Sequence, residues 1–88
     1  MAPTEIRDQL RREPFEPFRL HVTDGAHYDI LHPETCMVGL RTTAVGVPAS
    51  PESVLWDRLV QVDNLHITRI EPIPRPSPNS QTNGPPTD

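Results

Sequence analysis

The chain has 88 residues, a formal charge of −4, and arginine in every position that could have been lysine or arginine. That allows one small domain and argues against strong non-specific nucleic-acid binding, which needs a basic stripe to release counterions. No apolar run approaches a membrane span, no charged leader precedes an apolar stretch, and Cys36 is the lone cysteine, so a reduced, cytoplasmic setting without disulfides is the expectation.

Residues 4–13 (TEIRDQLRRE) predict a short helix. Thr4 suits the N-cap, Glu5 the first turn, and Arg11 and Arg12 the last turn, where they complement the helix dipole. Ile6 and Leu10 make a narrow apolar stripe. Pro14 forces an end near Glu13. Arg7, Arg11 and Arg12 share part of one face, partly neutralised by Glu5 and Asp8. The segment PFEPF then brings Phe15 and Phe18 to the start of a sheet.

Residues 18–22 alternate apolar and polar, as a half-buried strand does. The next strand holds Tyr28 and Ile30 as inward residues. Face parity decides the turn. A two-residue Asp24-Gly25 turn would set Val22 against His27 and mix polar with apolar. A three-residue loop, Thr23-Asp24-Gly25, pairs Leu20 with Tyr28 and Phe18 with Ile30, and gives Gly25 the left-handed position. The other face then pairs Arg19 with Asp29 and His21 with His27.

His32-Pro33-Glu34 breaks that strand. The run 36–47 (CMVGLRTTAVGV) follows as one long strand. Its inward parity changes near Thr42-Thr43, which predicts a bulge or sharp bend, with Gly39 and Gly46 allowing curvature. Residues 48–54 form a loop, 55–63 a strand around Leu59, Val60 and Val62, 64–67 a turn, and 68–73 a closing strand with Ile70 inward. The expected fold is therefore mostly β: an N-terminal helix, then a strongly bent five-stranded antiparallel sheet or small SH3-like barrel, over residues 1–73. Residues 74–88 are rich in proline and polar residues and are expected to be a disordered tail.

This layout resembles the Sm-like barrels, including the bacterial RNA-chaperone branch, on VTDG at 22–25 and LHITRIEP at 65–72. The resemblance implies a barrel across about residues 4–73 and an RNA contact at His66. Leu65 stands where that branch has its lysine, and the Arg-Gly signature of the other branches is missing. The string PFEPFRLHVTDG…HPE…LHITRIEP is also similar to a family of small uncharacterised bacterial proteins.

Several residues invite a functional reading. His21 and His27 face each other across the first hairpin and supply two donors for a divalent metal, although two donors make half a site and exposed strand histidines are the plainer reading. His32 and Glu34 form a dyad on paper, but no nucleophile accompanies them at a recognisable spacing. Cys36 has no basic neighbour to activate it. His66 and Arg69 flank the last turn and are candidates to line a pore or a subunit contact. Trp56, the only tryptophan, is a candidate interface anchor.

The expectation is a non-enzymatic interaction or assembly module without a cofactor. A core this small is marginal alone, and exposed strand edges favour a homo-oligomer. The alternative is an Sm-like RNA-binding protein using His66, Arg69 and the helix arginines. A metal-binding or hydrolytic protein built on His21 and His27 is the remote third reading.

Overall fold

The computed structural model describes residues 1–50, 52–53 and 55–74. The tail expected at 74–88 lies, from residue 75 onward, outside the described residues, as does part of the 48–54 loop. The order of elements is α1 (Pro3–Leu10), β1 (Phe18–Val22), β2 (His27–Ile30), a 3-10 turn (Pro33–Thr35), β3 (Cys36–Val38), β4 (Thr42–Pro48), β5 (Trp56–Asp63), a second 3-10 turn (Asn64–His66) and β6 (Ile67–Pro72).

Helix α1 is shorter than residues 4–13 and starts earlier. Ala2 occupies the N-cap, Pro3 needs no donor in the first turn, and the Glu5 carboxylate accepts the Ala2 N–H at 3.2 Å. Thr4 is therefore inside the helix rather than its cap. The helix stops after Leu10, and the Arg11 N–H closes onto the Arg7 and Asp8 carbonyls. Ile6 is fully buried and Leu10 packs against the core, whereas Arg11, Arg12 and Glu13 have no apolar surface to offer and leave the helix.

The first hairpin has the register that parity demands. Phe18 pairs with Ile30, Arg19 with Asp29, Leu20 with Tyr28 and His21 with His27. The Gly25 N–H bonds the Val22 carbonyl, and Gly25 has φ 92°, the left-handed conformation required by the three-residue loop. The Asp24 carboxylate accepts the Ala26 N–H and tightens the turn.

The rest of the sheet expectation is corrected. Six strands form two three-stranded antiparallel sheets, ordered β2-β1-β6 and β3-β4-β5, instead of one five-stranded sheet or a closed barrel. The run 36–47 is not a single bent strand. It is a hairpin in which Cys36 pairs with Val45, Met37 with Ala44 and Val38 with Thr43. The change of parity near Thr42-Thr43 comes from a tight reversal at Gly39–Thr42, where the Gly39 N–H donates to the Thr42 carbonyl at 2.7 Å. A Cβ on Gly39 would lie 2.7 Å from that same oxygen. Pro33 cannot donate to a ladder, and the turn it opens carries the chain from the first sheet to the second.

One core joins the sheets. Phe18, Leu20, Ile30 and Ile67 come from the first, Cys36, Val45 and Val62 from the second, and Ile6 from the helix. Its one polar junction is Asn64. The Thr43 hydroxyl, fully buried, donates to Asn64 Oδ1 at 2.7 Å. Asn64 Nδ2 donates to the carbonyls of Gly39 and Leu40, and its backbone N–H donates to the Arg41 carbonyl. The Met1 ammonium group donates to the Asn64 carbonyl at 2.7 Å. A buried asparagine with its polar atoms satisfied thus clamps the β3–β4 turn to the β5–β6 connection.

Candidate interaction surface

β5 is an eight-residue strand with a neighbour on one side only among the described residues. Its pairing with β4 sets Thr43 against Val62 and Val45 against Val60 on the core face, and Ala44 against Gln61 and Gly46 against Leu59 on the outer face. The register shifts between Val47 and Pro48, where Pro48 meets Trp56. That shift puts Trp56 on the same outer face as Leu59 despite their odd spacing. The Trp56 ring lies directly over Gly46, where a Cβ would come within 2.4 Å of the indole, so only glycine leaves room for it.

The result is an apolar outer face next to a free strand edge. Trp56 is 47% exposed, Leu59 56% and Met37 74%, and Met37 shares this face through its partner Ala44. Leu55, just before the strand, is also exposed. Sequence reasoning grouped Leu59 with Val60 and Val62. Strict alternation places Val60 and Val62 on one face and Leu59 on the other, and that was the available signal. Free edges of this length pair readily with another strand, and exposed apolar side chains strengthen the tendency.

His66 and Arg69 are not brought together. His66 Nδ1 is 3.3 Å from the Thr23 hydroxyl, and the Thr23 N–H donates to the His66 carbonyl. His66 borders a cleft of about 390 Å³ between the first hairpin and the far half of β5, and the acidic residues Asp24 and Asp63 line it too. Arg69 lies opposite His21 in β6, on the outer face of the other sheet. Among the described residues no arginine lines the cleft beside His66.

That outer face is a small charge lattice. Arg19 Nε sits 2.6 Å from Asp29 Oδ1, and its Nη2 bonds Oδ2 at 3.1 Å. His21 Nε2 is 2.8 Å from Glu71 Oε1. The Arg19 hydrogen bond holds the Asp29 carboxyl below its usual range, and the His21 bond does the same for Glu71. His21 and His27 do stand side by side, with ring centroids 6.1 Å apart and tilted by 44°. His21 is turned to Glu71, however, and among the described residues no three His, Cys, Asp or Glu side chains are grouped to hold a metal ion. Cys36 is buried, and burial pushes its thiol up to about 11, the reverse of an activated nucleophile. No described helix is long and apolar enough to cross a membrane.

No protein-family model, no curated protein and no solved structure matches this chain.

Proposed function

We propose that this chain is a non-enzymatic assembly module that self-associates through the free edge of β5. The observation that carries the reading is the eight-residue edge strand, paired with β4 alone among the described residues, whose outer face presents Leu59, Trp56 and the neighbouring Met37. A second copy that adds a strand there satisfies the open backbone groups and covers the apolar face together. The mixed charges at the exposed Asp57 and Arg58 suit a self-complementary contact. A reducing, cytoplasmic setting suits the lone buried thiol. The RNA reading has less behind it, because His66 shares its cleft with two carboxylates and Arg69 projects from a different face.

Sedimentation equilibrium across a micromolar concentration series tests this. The wild-type chain is expected to associate, and Leu59→Lys, which places a charge on the edge without disturbing the core, is expected to be monomeric. A wild-type protein that stays monomeric throughout the series rejects the reading.

A further inference from the structure

A second concavity, of about 250 Å³, opens where the two sheets meet. Asp29 and Leu31 from the end of β2, Glu34 from the first 3-10 turn, Pro48 from β4, Glu52 and Trp56 form most of its wall. The indole is immobilised on one side by Gly46 and remains half-exposed. An aromatic plate beside a proline, in a shallow groove, is the kind of surface on which proline-rich extended segments pack. The charge of the groove is one-sided. Asp29 is already held by Arg19, but Glu34 and Glu52 are exposed and make no ion pair among the described residues. Among the described residues no arginine lines the cleft.

The chain itself carries a matching ligand. Residues 72–78 read Pro-Ile-Pro-Arg-Pro-Ser-Pro, with proline at alternate positions and Arg75 as the only cation after Arg69. Proline fixes its own φ, so a sequence with proline at alternate positions has less backbone entropy to lose on docking. It also starts in the right place. Phe18 pairs with Ile30 on one side and with Pro72 on the other, so Pro72 lies two strand spacings from Ile30, about 10 Å. The Ile73 N–H donates to the Pro17 carbonyl at the same end of the sheet. From Ile73 to Arg75 an extended chain covers about 7 Å, to which the arginine side chain adds its own length. Ile73 and Pro74 border residues 14–17 at this end of the sheet, and the extended chain with its arginine side chain is long enough to span from there to the near rim of the groove at Asp29 and Leu31.

We propose that residues 74–78 of this chain dock in cis into the Trp56 groove, with the Arg75 guanidinium over the indole and between Glu34 and Glu52. Stacking on the ring and the two carboxylates supply the specificity. The tether supplies occupancy: a short linker gives an effective concentration of about 1 mM, so a dissociation constant of about 0.1 mM in trans keeps the groove about nine-tenths filled. The groove shares Trp56 with the apolar face beside β5 but is otherwise built from the end of β2, the first 3-10 turn and Glu52, and a variant that blocks association through β5 leaves the tail reading testable by itself.

Trp56 is the only tryptophan, so its fluorescence reports the groove directly. Acrylamide quenching is measured at low salt on the full chain, on the chain ending at Pro74, and on Arg75→Glu, using Leu59→Lys as a common background so that association through β5 does not contribute. The full chain is expected to be protected relative to both variants, to the same degree at every protein concentration, and to lose that protection as salt rises. A synthetic peptide of residues 72–88, added to the shortened chain, is expected to restore it. Glu34→Arg with Glu52→Arg is expected to abolish protection and, combined with Arg75→Glu, to regain it. Equal quenching of full and shortened chains, with no response to millimolar peptide, overturns the proposal. Protection that grows with protein concentration also overturns it, because the tail of a second copy would then be the occupant.

Discussion

Removing the Asn64 side chain tests the logic of the fold most directly. Asn64 is 4% exposed, and Thr43, which donates to it, is fully buried. Asn64→Ala deletes the acceptor at 2.7 Å and both Nδ2 donations to the β3–β4 turn. A buried donor left without a partner costs about 1–3 kcal/mol, and each of the two hydrogen bonds lost to the turn adds about 0.5–1.5 kcal/mol, so a total of about 2–6 kcal/mol is expected. For a domain of this size, whose whole stability is about 4–10 kcal/mol, that is a large fraction. Thr43→Val removes the same bond from the other side and keeps the shape. The double variant leaves neither partner stranded by the other. Urea unfolding of the two single variants and the double variant therefore yields a coupling of about 1–2 kcal/mol, with the double variant less damaged than the sum. Effects that add to within about 0.5 kcal/mol would show that the Thr43–Asn64 bond contributes nothing specific, and the clamp would have to be abandoned.

Other outcomes follow from single contacts. Gly46→Ala places a methyl group into the Trp56 ring, so the indole must swing away; a red-shifted emission and a loss of about 1–3 kcal/mol are expected, and an unchanged spectrum would contradict the stacking. Cys36, with its thiol raised to about 11 by burial, is expected to resist thiol reagents at pH 8 in the folded protein and react at once in urea. The Asp29 carboxyl is held low by Arg19, so its stabilising contribution is present above the ordinary carboxylate range and is lost as pH falls through the lower folded value. A carbon-detected NMR titration should place its midpoint below that of an unpaired aspartate, and Arg19→Ala should raise it, because the Arg19 hydrogen bond is the largest cause of the shift. Gly25→Ala forces a side chain into φ 92° and is expected to cost about 1–2 kcal/mol in thermal unfolding, with no clash to relieve, since nothing lies within 4 Å of the added carbon.

Where one face is buried and the other solvated, the sequence was readable. The first hairpin has one register that keeps Phe18, Leu20, Tyr28 and Ile30 together, and the structure adopts it. The arrangement of the remaining strands was not readable in the same way. A change of inward parity looks identical whether a strand bends or reverses, and at residues 39–42 it reverses because Asn64, more than twenty residues later, binds the turn carbonyls. A local pattern holds no trace of that partner. The strand break at Pro33 was visible, but not that the chain would leave one sheet for another there. Trp56 stood out as a lone aromatic, while its seat on Gly46 depends on a register shift that alternation alone does not reveal. His21 and His27 were placed correctly as neighbours, and Glu71, which engages His21, arrives from a strand far along the chain.

The position of β1 between β2 and β6 has a consequence in time. β2 follows β1 at once, but the other neighbour begins only at Ile67. At about 5–20 residues per second, the roughly 50 residues from Val22 to Pro72 take about 2.5–10 s to synthesise. A hairpin forms in about 1–10 μs, so for nearly all of that interval a finished β1–β2 pair waits with one side of its central strand uncovered. Closing the long loop to β6 is also the slow, non-local step of folding. The nascent chain is thus most open to mispairing before Ile67 and Ile70 arrive to cover that side of β1.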